Sequence, residues 1–345
     1  MTIQAASAVH VRTSHVRVLN LGLASLLLIA ALGSVMVGAA PLSIHDVWEG
    51  VWRHSGVSGI IFWDIRFPRL ILSVAIGGFL GLSGAALQGL LQNPLAEAAV
   101  FGAPQTAAVG AVAVLYLGVS DALSFWLPLA AIGGALLSSV ALYGLVGRQA
   151  GSTRFILAGL ALGSLSGALV ALIISLSPNP FAMTEILFWL MGSIEDRSMR
   201  HVLLALPFVV VASLVLLRLG GGYRALTLGD DTAASLGVDV GRLRLSTIVA
   251  VSVGCGACVA VSGTIGFIGL MAPHLVRPFV ANDPKRALLS SGLTGALMLT
   301  CADLLVRLIP STSEIRIGVV TALLGAPFFL YVMLSDRSLY RSEGP

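Results

Sequence analysis

Only a few residues in this chain could take part in chemistry, and their spacing excludes more than it supports. The single lysine, Lys285, lies between Pro284 and Arg286. A P-loop needs Gly-Lys-Ser/Thr, because the ammonium must sit under the phosphates at a helix start. No nucleotide engine of that type fits in these 345 residues. Cys255 and Cys258 form a C-x-x-C, the spacing of redox and metal sites. No second cysteine pair or nearby histidine completes such a site, and small residues are ordinary in packed membrane helices. His274 is the only histidine inside an apolar segment, and an imidazole without a carboxylate or cysteine neighbour is a poor metal ligand. Its expected role is a hydrogen bond to a neighbouring helix. No G-x-S-x-G, H-E-x-x-H or paired carboxylates occur, so hydrolysis has nothing to work with. The expectation is a non-catalytic chain with no cofactor and no metal.

An acid inside the membrane usually marks an ion-driven transporter. Asp303 is the main candidate, yet it lies one turn from the end of its segment with Arg307 at i+4. A local ion pair is the simpler expectation. Arg66-Phe-Pro-Arg69 precedes another apolar segment. Such arginines either anchor a helix end at the membrane border or present fixed guanidinium groups to carboxylates of a docking protein.

The polar run Leu228-Gly229-Asp230-Asp231-Thr232-Ala233-Ala234-Ser235-Leu236-Gly237 reads as one or two helical turns. Asp230 or Asp231 suits the N-cap and Gly237 the C′ position. It is either a plain connector or a small helix that seats Leu236 in a groove on another protein. Asn93-Pro94 reads as a helix break, with Glu97 in the first turn of the next helix. Arg277 is expected to reach the cytoplasmic headgroups.

The elements that position these residues follow from composition. Hydrophobic residues make up 57% and charged residues 10%, with mean hydropathy +0.97. Soluble domains carry about 25% charged residues, so the chain reads as an all-α integral membrane protein, one polytopic unit over residues 1–345. Segments of ~20 apolar residues fall at about 18–40, 69–91, 99–118, 124–147, 155–176, 202–218, 245–263, 264–281, 287–306 and 316–334, ten candidate transmembrane helices. The first follows Arg12 and Arg17 but is too long for a signal peptide. Ten crossings put both termini on one side. If that side is cytoplasmic, thirteen basic residues lie inside against seven outside, as the positive-inside rule favours. Residues 1–17 and 335–345 are then cytoplasmic tails and 219–244 a cytoplasmic loop.

Gly77, Gly81, Ala85 and Gly89 recur every four residues, as do Gly159, Gly163 and Gly167. Such rows allow close helix packing or a pore-lining or dimer-facing surface. Ser83-Gly84, Leu91 and Pro94 return 179 residues later as Ser262-Gly263, Leu270 and Pro273. Five crossings apart, the copies run in opposite senses, as in inverted-repeat transporters.

In order along the chain, Arg66-Phe-Pro-Arg69, Ser83-Gly84 with Asn93-Pro-Leu-Ala-Glu97, the Leu228–Gly237 run, Gly263-Thr-Ile-Gly-Phe-Ile-Gly-Leu-Met-Ala-Pro-His274 and Gly318-Val-Val-Thr-Ala-Leu-Leu-Gly-Ala-Pro-Phe-Phe329 resemble the FecCD family. These are ten-span, type II ABC importer permeases for iron-siderophores, haem and cobalamin, with pseudo-symmetric inverted halves. The resemblance covers about Val18 to Leu334. It implies a permease of the bacterial inner membrane, both termini cytoplasmic, driven by a partner ATPase dimer. It implies that Arg66, Arg69 and Arg307 receive acids of a periplasmic binding protein, and that the Leu228–Gly237 run is the ATPase coupling helix. It further implies a pore at a dimer interface, with Gly159, Gly163 and Gly167 in a pore region beside segment 178–197 and the last span. The partner permease is a second copy or a paralogue, in a lipid bilayer, with no nucleic acid involved. One departure stands out. The family pattern Glu-Leu-Pro-Val-Gly is here Glu314-Ile-Arg316-Ile-Gly318.

Overall fold

The computed structural model describes residues 2–38, 43–53, 56–117, 126–147, 152–177, 180–309 and 314–335. Its helices in chain order are α1 (Thr2–Met36), α2 (Ile44–Arg53), α3 (Gly56–Ile60), α4 (Phe67–Leu91), α5 (Ala103–Tyr116), α6 (Trp126–Val146), α7 (Ser152–Ser175), α8 (Pro180–Leu190), α9 (Met199–Arg218), α10 (Gly220–Leu226), α11 (Asp230–Ser235), α12 (Val240–Ser262), α13 (Ile268–Val276), α14 (Pro284–Leu308) and α15 (Ile317–Ser335). No strand occurs among the described residues. In lipid every backbone group must be satisfied within its own segment or a closed barrel, and helices of this apolar length meet that demand.

Among the described residues, seven helical stretches are long and apolar enough to cross a membrane. They are His15–Met36, Gly56–Leu91, Trp126–Val146, Thr153–Ser175, Met199–Arg218, Val240–Ser262 and Pro284–Leu308. The other three expected segments fall on shorter apolar helices, Ala103–Tyr116, Ile268–Val280 and Ile317–Val332. Their helical parts stop short of the ~20 residues a crossing needs. Irregular backbone explains the shortening at α5 and α13. Before α13, Gly263 and Phe267 both take positive φ. Before α5, Gln92 ends α4 at φ 51 and the Asn93 Oδ1 accepts from Leu95 N at 2.9 Å. The helix break at Asn93-Pro94 is thus present, but Glu97 is not in the next helix. It is extended, ahead of a 3₁₀ turn at Ala98–Phe101, and α5 starts only at Ala103.

Small residues build the centre. In α4, a Cβ on Gly77 or Gly81 would collide with the backbone of Gly295 or Ser291 in α14, and one on Gly84 with Gly269 in α13. A Cβ on Gly89 would lie 3.1 Å from Tyr223. This ladder therefore serves contact within the chain. Dispersion between backbones this close is the main attraction available in lipid. The α7 ladder divides. Gly159 closes on Val100 and Phe101, whereas a Cβ on Gly167 would meet nothing within 4 Å. The central helices α4 and α12 are mostly enclosed, while α1 and α7 bury only 11% of their apolar windows. The echoed residues take different local forms. Ser83-Gly84 is inside α4, whereas Ser262 ends α12 and Gly263 turns at φ 67.

Candidate docking and coupling sites

At the end expected to face outward, a π-helical turn at Ile61–Arg66 runs directly into α4. Pro68 then sits in the first turn of α4 and has no N–H to give to the π turn behind it. This fixes Arg66 and Arg69 one turn apart. Neither points freely outward. Arg66 is 3% exposed and donates Nη1 to the Val35 carbonyl near the end of α1. Arg69 is 9% exposed. Its Nε donates to Asp303 Oδ1 at 2.7 Å, and its Nη1 and Nη2 grip the Glu314 carboxylate from two directions.

Asp303 is fully buried and also pairs with Arg307, the i, i+4 contact expected from spacing. Arg307 reaches further, to the Ser34 carbonyl at 2.9 Å and the Ser34 hydroxyl at 3.0 Å. The sequence placed Asp303 with Arg307 but offered no sign of the pairs from Arg69 to Asp303 and to Glu314, 234 and 245 residues away. Long-range pairs leave no periodic trace. The three arginines expected to face a docking protein are thus brought together, yet each has an internal partner in this chain.

Two linkers complete the cluster. Arg316 Nη1 donates to Glu195 Oε2 at 2.6 Å and its guanidinium lies 5.2 Å from the centre of the Phe188 ring. Glu195 and Glu314 carboxyls face one another. Burial, and then the charge of Glu314, push the Glu195 carboxyl above its usual range. Burial works to raise Glu314 as well, but the bonds from Arg69 outweigh it and hold that carboxyl low. A cavity of about 740 Å³ opens beside the cluster, walled by Asp64, Arg66, Arg69, Glu195, Arg307 and Glu314 among others.

At the opposite end, α11 is a single protruding turn and a half. Its N-cap is Gly229, at φ 94, rather than Asp230 or Asp231. Both aspartates occupy the first turn, where negative charge suits the helix dipole. Gly237 does hold the C′ position. Val238 N donates to Ala233 O at 3.0 Å and Gly237 N to Ala234 O at 2.9 Å, a Schellman closure. Arg244 of α12 grips Asp230 at 2.6 Å. Beneath it, the buried Tyr223 hydroxyl meets Thr247 at 2.8 Å, and Arg224 clamps Asp283 at 3.1 and 2.5 Å. Ala233 is fully buried, whereas Leu228 and Leu236 are 61% and 64% exposed, with Ala234, Asp231, Thr232 and Ser235 also exposed. A rigidly based turn therefore offers two leucines and an alanine to the solvent.

Other residues singled out by sequence lie apart from both sites. Cys255 and Cys258 are free and buried, and no group of three metal-type side chains occurs among the described residues. His274 packs edge-on against Phe328 at 5.7 Å. Arg277 lines a small cavity with Gln88, whose two side-chain polar atoms find no partner among the described residues.

Comparison with known proteins identifies the family. The chain is 37% identical over 306 residues to the vitamin B12 import system permease protein BtuC of Vibrio cholerae, covering 88% of this chain and 89% of that one. It is 34% identical over 321 residues to the hemin transport system permease protein HmuU of Yersinia pestis, covering 90% and 94%. A solved structure described as a metal-chelate type ABC transporter in an inward-facing conformation superposes with a TM-score of 0.83 at 30% identity, over 91% of this chain and 98% of the other. These similarities make the all-helical body a type II ABC importer permease. The model of the FecCD transport family matches residues 26–335, and the chain belongs to that family.

Proposed function

We propose that this chain is the membrane-spanning subunit of a bacterial inner-membrane importer for an iron-siderophore. In this reading a periplasmic binding protein delivers the chelate, and two cytoplasmic ATPase subunits drive it through a pore between two permease chains. The permease itself performs no covalent chemistry. The observation that carries the reading is α11. It is a short helix on a buried, ion-paired base, showing Leu228, Ala234 and Leu236 to a partner, on a chain without a Gly-Lys-Ser/Thr loop of its own. Force applied there passes through Arg244 and Asp230 into α12, one of the enclosed central helices.

The outer cluster supports docking of acidic side chains at Arg66, Arg69 and Arg307 by charge and position. A cobalamin or haem cargo is the alternative, since permeases named for those cargoes are close in sequence. An ion-driven transporter is disfavoured because Asp303 is neutralised between two arginines. The test is Ala234→Arg, measured in proteoliposomes containing the ATPase subunits and loaded outside with binding protein and labelled ferric siderophore, haem or cobalamin. ATP hydrolysis should continue while uptake falls at least tenfold. Uptake that stays coupled in this variant removes α11 from the mechanism, and the cargo that accumulates in the unmodified protein decides among the three.

A further inference from the structure

The outer cluster contains one carboxylate that is placed to leave. Arg69 holds two acids, and their settings differ. Asp303 belongs to the body of α14, is fully buried and is also held by Arg307. Glu314 lies on the short linker before α15, its side chain is 18% exposed, and it forms part of the wall of the outer cavity. It also faces the Glu195 carboxyl, which shares a hydrogen bond with it, while Arg69 secures its seat.

Glu314 is fastened to more than itself. Two residues on, Arg316 grips Glu195 and covers Phe188. Gly318 N donates to the Gly192 carbonyl at 3.2 Å, and Ser193 N to the Ser262 carbonyl at 2.7 Å. Thr264 Oγ1 donates to the Leu190 carbonyl at 2.6 Å. The start of α15, the α8–α9 linker and the α12–α13 turn are therefore sewn into one seam. Arg69–Glu314 is the ionic tie between that seam and the α4–α14 pair.

We propose that Glu314 is a built-in stand-in for a docking carboxylate: seated on Arg69 it latches the α15 seam to the α4–α14 pair, and an acid arriving from the docking protein displaces it and frees the seam. This rests on the docking role given to Arg69 above. Arg316, which replaces the proline of the family pattern, is the strut that makes the linker move with the seam. The exchange conserves charge at Arg69, because one carboxylate replaces another, and the displaced Glu314 is released into the water of the cavity.

The test uses the permease with its ATPase subunits in lipid nanodiscs, its native cysteines replaced by alanine and spin labels placed at Ile65 and Val319, both on the outer side. The unmodified latch should give one narrow distance distribution. Glu314→Gln should shift it outward by several ångströms and broaden it, and so should Arg316→Glu, whereas the swap Arg316→Glu with Glu195→Arg should restore it. An unmoved distribution in Glu314→Gln overturns the latch, and failure of the swap to restore overturns the strut. Added glutarate should shift the unmodified protein toward the Glu314→Gln distribution beyond what sodium chloride does at matched ionic strength. Equal effects of the two salts overturn the exchange. The docking reading is read separately, from the salt dependence of binding-protein capture. Capture indifferent to salt overturns docking and leaves an opening Glu314→Gln latch standing; salt-sensitive capture with an unmoved latch overturns this inference alone.

Discussion

A single buried acid organises the outer end of the molecule. Asp303 is fully enclosed, and the side chains of the two arginines that touch it are 10% and 7% exposed. Removing one partner from a buried pair leaves the other charges uncompensated and costs about 3–5 kcal/mol. Asp303→Asn should therefore lower the thermal midpoint of the detergent-solubilised protein by several degrees. A midpoint within a degree of the parent would show that water reaches the pair. The same reasoning warns against charge reversal at Arg69 as a docking assay. A glutamate there would face Asp303 and Glu314 together, so loss of docking and loss of folding would look alike. Of these contacts only Asp303–Arg307 was legible in the sequence, because i, i+4 spacing on a helix is local information. Arg69–Glu314 joins the beginning of one helix to the linker before another, and no local pattern encodes it.

Among the helices, glycine spacing carried the most information, though not to the same end in both ladders. In α4, Gly77 and Gly81 meet the backbone of α14, so Gly81→Leu should force α4 from α14. Overpacking of this kind costs about 1–3 kcal/mol, occasionally more, and should appear as loss of monodisperse protein on gel filtration. In α7, Gly167 faces open space, so Gly167→Leu should leave the stability of the isolated chain unchanged. If the α7 face abuts a second permease in the assembled importer, the same change should lower transport and weaken the permease–permease association. Unchanged transport would make Gly167 a lipid-facing residue. The two ladders look identical on paper because spacing reports a flat helix face and not what lies against it. The α11 turn shows the same limit at finer grain. Its place and length were readable, but Gly229 rather than an aspartate caps it. A positive-φ residue ahead of the helix leaves both carboxylates free, one for Arg244 and one for the surface.

At the level of the whole molecule, apolar run length located the seven long apolar helices among the described residues and three shorter ones. It could not show that those three would be shorter than a crossing. Irregular backbone within a membrane protein is tolerated where the rest of the protein surrounds it, and that enclosure is a property of the finished packing. The division of labour follows from the two ends. Both ends carry ion pairs, but at one the arginines are largely buried beside a cavity, while the other exposes leucines on a braced turn. Purified gently from its native membrane, the chain should bring an ATP-hydrolysing subunit with it, and Leu236→Asp should abolish that association without altering the amount of permease recovered. Co-purification that survives Leu236→Asp would place the ATPase contact elsewhere.

The arginines that grip the end of α1 bear on how the protein is made. Arg307 bonds to Ser34, 273 residues earlier in the chain, and Arg66 bonds to Val35. During synthesis the first helix enters the bilayer with its terminal carbonyls unclaimed, and Arg66 arrives early enough to take one of them. The rest wait until α14 has been translated and inserted. In the order of synthesis α1 is thus secured in part by a residue made 273 positions later, and a nascent chain cut short before α14 would carry a loosely held α1, open to membrane proteases.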